Sequence, residues 1–356
     1  MVRGAGILWV RGELRSSRPT RDHMTPFSAW ARTGAVPAER GWSEQTLLSL
    51  VCGEHATPLQ TRWPTLLSDL CALGVQHVVT TNRVGALGFY APLAWHHDGD
   101  GTRLAGDGVA IKLDTEQLTA AFATGTPRSG MLRRTTRLFD RHGDPLLVMA
   151  TTPFGHTRDF DAFVRRHQRP VTPPQPQLAP LAPAGPADSA PRGRLAAALA
   201  DWKGLTDARA FEELLIHHGL NRSQLYAAAD DDLASVVNAR ELIVLLRWMV
   251  DRQAPISLQV GRCGVVTSAR VTAEELTVAP KALELAGGNA VLRLALQQLG
   301  QIWLVQHPGL DGTSHQSIQL LDSAGELAAC IGGAEQWLAA GVWGWTRQAF
   351  RPGAPA

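Results

Sequence analysis

Cysteine, lysine and tyrosine are scarce in this 356-residue chain, and the first two scarcities have consequences. Four cysteines (Cys52, Cys71, Cys263, Cys330) are scattered without a Cys-x-x-Cys pair. That excludes a disulfide framework and a structural zinc site, and it suits a reducing compartment. Only Lys112, Lys203 and Lys281 are lysine among 34 basic residues, which reads as a GC-rich coding bias. No apolar run reaches the 18 residues of a membrane span. An excess of one charge sign is also missing: Lys+Arg 34 against Asp+Glu 32 leaves +2, too balanced for a general nucleic-acid binder. Gly4-x-Gly6 lacks the preceding strand of a dinucleotide fingerprint, and Ser314-His315 lacks a Gly-x-Ser-x-Gly elbow.

What is present is globular, 45% hydrophobic and 19% charged, and long enough for two domains of about 150 residues. Ile7 to Val10 is a short apolar patch followed by Arg11, Arg15, Arg18 and Arg21, nearly the reverse of a secretory signal. We therefore expect residues 1–37 to form a disordered extension, with Met24 a candidate start, and the protein to be cytoplasmic.

The chain is a duplication. Leu138-Phe139-Asp140-x-x-Gly143 returns as Leu320-Leu321-Asp322-x-x-Gly325, 182 residues on. Leu104-Ala105-Gly106 and Gln117-Leu118 return at 181 as Leu285-Ala286-Gly287 and Gln298-Leu299. Arg83-x-Gly85 returns at 179 and Gly41-Trp42, as Gly219-Leu220, at 178. Between the copies, Val171 to Pro191 holds seven prolines in 21 residues, an extended spacer without helix hydrogen bonds. The expected organisation is a first repeat over 38–170, a linker over 171–192 and a second repeat over 193–356.

Each copy reads as helix followed by strands. Helices are predicted for 43–51, 210–218 and from Asn221 through Leu225. Short β-type runs are His77–Thr81, Gly85–Tyr90, Val109–Leu113 and Thr135–Phe139. Their later counterparts are Ile256–Val260, Val265–Val271, Ala290–Ala295, Gln301–Gln306 and Ser317–Leu321. Short turns between them imply antiparallel pairing and an α+β fold.

Two segments of the second copy carry a family resemblance. They are Asp201-Trp202-x-x-Leu205-x-Asp207-x-x-x-Phe211 with Leu214-Leu215-x-x-His218-Gly219-Leu220-x-Arg222, and Trp303-x-Val305-x-x-Pro308-x-x-Asp311-Gly312 running into Leu320-Leu321-Asp322. They resemble the haemin-degrading factor and haemin transport proteins, cytoplasmic haem-handling proteins of bacterial iron acquisition. In the first copy Leu73-Gly74-Val75, Thr80-x-Asn82 and Phe139-Asp140 fit too, so the resemblance spans roughly 38 to 350. It implies two tandem repeats, each a large twisted antiparallel sheet with flanking helices, and a haem cleft bordered mainly by the second.

The resemblance also points to the residues that would hold haem. The family's axial iron ligand is a histidine two residues after Asp207, and that position here is Arg209. A guanidinium stays protonated and has no lone pair for iron. Trp202, Leu205, Asp207 and Phe211 fix the register, and His217 and His218 lie about 12–14 Å further along a helix. The family's distal arginine falls at Asp114 and its lysine before the closing proline at His307. Its tyrosine and arginine beyond the last strand fall near Gly332 and Glu335. Each charge-assisted hydrogen bond to a haem propionate is worth roughly 1.5–3 kcal/mol. Asp114 and Glu335 repel where arginines attract, so an altered or weakened haem site is expected, its metal ligand unidentified.

Every candidate has a plain alternative. Arg209 is either a partner for an anionic ligand or a helix arginine pairing with Glu212 or Glu213. His307 is either a replacement ligand or propionate partner, or an ordinary strand-end histidine. His217 and His218 suit a helix C-terminus, and nothing near Cys330 is arranged to lower its pKa. His96-His97-Asp98-Gly99-Asp100 reads as a solvated hairpin loop, since adjacent strand residues cannot chelate one ion. Arg133, Arg134 and Arg137, like Arg165, Arg166 and Arg169, read as solvated strand ends and linker flanks. Trp337, Trp343 and Trp345 are expected to pack a C-terminal helix. The expected function is cytoplasmic, non-enzymatic haem handling in iron acquisition, with haem or a related porphyrin as ligand and no nucleic acid or membrane span. Reductive haem degradation is the enzymatic alternative, and binding of another planar or anionic ligand the third.

Overall fold

The computed structural model describes residues 44–50, 52–53, 55–98, 101–128, 131–155, 157–170, 190–205, 210–262, 264–308 and 314–333. The expected extension (1–37), the spacer through 189, Arg209, Glu335 and the tryptophans Trp337, Trp343 and Trp345 lie outside the described residues.

The first copy runs α1 (Glu44–Leu50), β1 (Ala56–Leu59), α2 (Trp63–Cys71), β2 (Gly74–Thr81), β3 (Gly85–Ala91), β4 (Ala94–Asp98), β5 (Gly101–Gly106) and β6 (Val109–Leu113). It continues with β7 (Ala120–Arg128), β8 (Met131–Phe139), β9 (Pro145–Gly155) and α3 (Thr157–His167). The second copy opens with α4 (Arg192–Gly204), α5 (Ala210–His218), α6 (Arg222–Ala228), β10 (Ala234–Val236) and α7 (Ala239–Asp251). Then come β11 (Pro255–Arg262), β12 (Val265–Thr272), β13 (Glu275–Ala279), β14 (Ala282–Gly287) and β15 (Ala290–Ala295). A 3₁₀ turn (Leu296–Gln298) leads to β16 (Gln301–Pro308), β17 (Ser314–Leu321) and β18 (Leu327–Gly333).

Local chemistry accounts for many of these limits. Asn221 and Asn238 each close a capping box, with Gln224 and Glu241 returning the bond, which starts α6 and α7. Along α7 the buried stripe is Leu242, Leu245, Leu246 and Met249. The repeated Asp-x-x-Gly motif is the same turn twice. Asp140 Oδ1 accepts from the backbone of His142 (2.8 Å) and Asp144 (3.0 Å), and Asp322 Oδ1 from Ala324 (2.8 Å) and Glu326 (3.0 Å). Gly143 and Gly325 supply the left-handed φ of 76° and 80° that each turn requires.

The strands form two nine-stranded antiparallel sheets with a symmetrical exchange. One has the order β1-β7-β8-β9-β2-β3-β15-β14-β13, the other β10-β16-β17-β18-β11-β12-β6-β5-β4. Each sheet therefore takes six strands from one copy and a three-stranded meander from the other. The seams match: Gly85 faces Leu294 and Phe89 faces Ala290, as Val265 faces Leu113 and Ala269 faces Val109. One apolar core joins the sheets, with Val78, Leu87 and Met149 from the first and Leu258, Leu304 and Ile331 from the second. Two polar links cross it. The Thr80 and Thr267 hydroxyls bond each other, and the Asn82 amide donates to the carbonyls of Gly261 (2.9 Å) and Ala328 (2.6 Å).

Three sequence expectations change. His96 and His97 lie within β4, because Ala94–Asp98 pairs along the whole of β5; only the turn is a loop. Arg165 and Arg166 lie on α3, whose high amphipathicity was hidden by its many charges. Arg137 is no solvated strand end: it is half-buried on β8 and paired with the buried Glu44 of α1.

Candidate functional site

Alternation along β11, β16, β17 and β18 sorts their side chains to two faces. Ile256, Leu258, Leu304, Ile318 and Ile331 enter the core. On the opposite face the register brings Ser257, Gly332 and Ser317 into one row, Gln259, Cys330 and Gln319 into the next, and sets His307 beside His315. The helices α4, α5 and α6 cover part of this face through a second apolar cluster of Trp202, Phe211, Leu215, Tyr226, Trp303 and Val305. Between cover and sheet lies a cleft of about 310 Å³, with Phe211 and Glu212 of α5, Arg222 of α6 and Leu327 as walls and the polar rows as floor.

His307 sits in this cleft, more than nine-tenths buried. Phe211 meets its ring edge-on at 4.7 Å between centroids, and Trp202 lies 6.0 Å away. Burial, with help from the Arg222 guanidinium and from His315, pushes the imidazole down to about 4, so it is neutral at pH 7. Its hydrogen bonds fix the tautomer. Tyr226 donates its hydroxyl to Gln319 Oε1 at 2.6 Å, which turns Gln319 Nε2 to donate to His307 Nε2 at 2.9 Å. An amide nitrogen only donates, so Nε2 is the acceptor and Nδ1 carries the proton. Nδ1 is buried and has no hydrogen-bond partner in the protein.

Arg222, also buried, pairs with Glu212 at the cleft wall, while its Nε–H is buried without a partner. Burial pushes the Tyr226 phenol up and the Cys330 thiol up to about 11, so both stay protonated at neutral pH. The cleft thus presents two unpaired buried donors, one neutral and one cationic, beside an aromatic wall. Such a set suits an oxygen acceptor on a planar apolar body.

The other sequence candidates divide. Gly332 lines the cleft from within β18 rather than beyond the last strand. Asp114 follows β6, exposed and away from the cleft lining. Arg209 lies outside the described residues, immediately ahead of α5 in the chain. Glu212, its expected partner, is taken by Arg222. His218 bonds Asp201 at 2.7 Å, while His217 is exposed on α5. Among the described residues no three His, Cys, Asp or Glu side chains group as a metal site. Reasoning from sequence missed Tyr226 and Gln319. The only signal was that Tyr226 is one of two tyrosines in the chain.

The first copy fills the equivalent place. Glu44 stands 178 residues before Arg222, and Arg137 stands 182 before Gln319, matching the offsets of the repeat. Their ion pair occupies the position where the second copy holds its donors.

Comparison with known proteins follows the same division. A family model described as the haemin-degrading HemS.ChuX domain matches twice, over residues 41–167 and 219–347. The hemin transport protein HmuS of Yersinia pestis is 26% identical over 279 residues, covering 76% of this chain and 79% of that protein. The heme degrading enzyme ChuS of Escherichia coli O157:H7 superposes with a TM-score of 0.79 at 19% identity, covering 93% of this chain and 99% of that one. Holo-PhuS, a heme-binding protein from Pseudomonas aeruginosa, gives 0.76 at 21% identity, covering 88% and 93%.

Proposed function

Because the chain belongs to the haemin-degrading HemS.ChuX family, we propose that it is a cytoplasmic haem-handling protein of bacterial iron acquisition whose site holds the porphyrin without imidazole at the family's iron position. The observation that carries this reading is the cleft of the second copy, with its two unpaired buried donors and aromatic wall. The residues fit the organic part of haem: Phe211 and Leu327 offer apolar contact, and Arg222 and His307 offer donors to a propionate. They fit iron poorly. Arg209 has no lone pair, His307 Nε2 is occupied by the Gln319 amide, and the Cys330 thiol stays protonated. Binding and transfer therefore stand ahead of haem breakdown, which draws on an electron-donating axial ligand.

Titration of the purified protein with haemin tests this. We expect a saturable Soret change at micromolar concentration, with a spectrum unlike that of imidazole-ligated haem. Arg209→His is expected to raise affinity by about tenfold or more and to convert the spectrum to the imidazole-ligated type. Absence of saturable haemin binding in both proteins would remove haem as the ligand.

A further inference from the structure

The unpaired donors of the cleft allow the ligand group they receive to be named, on the premise that the cleft takes a tetrapyrrole. Two N–H groups, His307 Nδ1 and Arg222 Nε, are buried without partners in the same cleft. Leaving such groups unpaired is unfavourable, so the site is complete only with an acceptor in it. The acceptor's charge follows from the residues around it. Arg222 is the cation of the cleft wall and Glu212 already offsets part of it, which favours a monoanion over a dianion such as phosphate. A carboxylate is an acceptor-only monoanion that takes hydrogen bonds from two directions.

We propose that Tyr226 and Gln319 are positioning residues that hold His307 as an Nδ1–H donor, and that this imidazole and the Arg222 guanidinium together receive a carboxylate of the tetrapyrrole. The chain of bonds runs from the Tyr226 hydroxyl to Gln319 Oε1 and from Gln319 Nε2 to His307 Nε2. Without Tyr226 the amide could turn over, His307 would carry its proton on Nε2, and the nitrogen facing the ligand would repel a carboxylate. The low pKa of the imidazole agrees with this geometry, because a neutral ring must commit to one tautomer. The grip therefore lies on the carboxylate edge of the ligand and not on a metal at its centre.

Three probes and two variants test this. Haemin, metal-free protoporphyrin IX and protoporphyrin IX dimethyl ester are titrated into the full chain, and the tautomer is read from ¹⁵N shifts of histidine-labelled protein, with His307→Gln assigning the signal. The expected result is an Nδ1–H tautomer, similar affinity for haemin and the metal-free diacid, and about tenfold or more weaker binding of the diester. Tyr226→Phe should introduce the Nε2–H tautomer and weaken the diacid severalfold while leaving diester affinity unchanged. Thermal midpoints near that of the parent would show that the variants remain folded. A parent protein that binds haemin but shows the Nε2–H tautomer, or takes diester as tightly as diacid, overturns the inference alone. Failure of all three porphyrins to bind overturns the haem-handling reading and the carboxylate role with it.

Discussion

At the scale of single residues, His307 makes stability depend on pH in a direction that can be worked out. Burial lowers its folded pKa to about 4, against an ordinary value of 6.5. The unfolded chain therefore takes up a proton first as pH falls. The stability associated with the neutral ring is fully present above about 6.5, declines through the interval, and is gone below about 4. The charged or titratable groups around the ring are Arg222, Glu212, His315, Tyr226 and Cys330; the first opposes protonation and Glu212 is already engaged by it. Between pH 7 and pH 4.5 the parent should lose about 2–3 kcal/mol more than His307→Gln, measured by urea unfolding at each pH. Equal losses would show that the imidazole is not held neutral. The residue itself was legible in the sequence only through its place before Pro308 in a familiar hairpin. Its tautomer was not, because Gln319 and Tyr226 lie 12 and 93 positions from their partners in the relay. Only packing brings them together.

At the scale of elements, the two copies put opposite chemistry on equivalent helices and strands. In the first, α1 and β8 meet through Glu44 and Arg137, the carboxylate buried and the guanidinium's pKa lowered by burial. In the second, α6 and β17 contribute Arg222 and Gln319 to an open cleft. An ion pair of this kind is costly to break from one side, since the remaining charge stays buried. Glu44→Ala should lower stability by about 3–5 kcal/mol. Glu44→Ala combined with Arg137→Leu should recover much of that loss, as read from denaturation midpoints and slopes. A single variant as stable as the parent would mean that water already shares the pair. Element types were largely readable where β-branched runs lay between turn residues, as in β2, β11, β12 and β17. They were hidden in β13, whose Glu-Leu-Thr-Val-Ala faces solvent at a sheet edge, and in α3, where charge masks the buried Phe160 and Phe163. Whether the first copy's cleft was filled depended on a pair 93 residues apart, which no local pattern records.

At the scale of the whole molecule, the repeat offsets announced two copies, but nothing local could announce that they exchange strands. A three-stranded meander carries the same alternation whichever sheet it joins. The exchange is decided by long-range pairing at the Gly85–Leu294 and Val265–Leu113 seams. Its consequence is that neither copy holds a complete sheet. The seams are reinforced by the Asn82 amide on Gly261 and Ala328 and by Arg262, which reaches Asp144 at 2.7 Å and Asp140 at 3.3 Å across the copies. A protease site inserted between residues 171 and 189 should therefore cut the chain without releasing two proteins. The nicked product is expected to elute as one species and to unfold in a single calorimetric transition. Cutting also turns an intramolecular association into a bimolecular one, so the spacer's contribution becomes visible as concentration dependence. The nicked protein's midpoint should fall on dilution, while that of the uncut chain stays fixed. Two separable fragments, or two transitions insensitive to concentration, would mean that each copy completes its own sheet and that the exchanged meanders do not hold the molecule together.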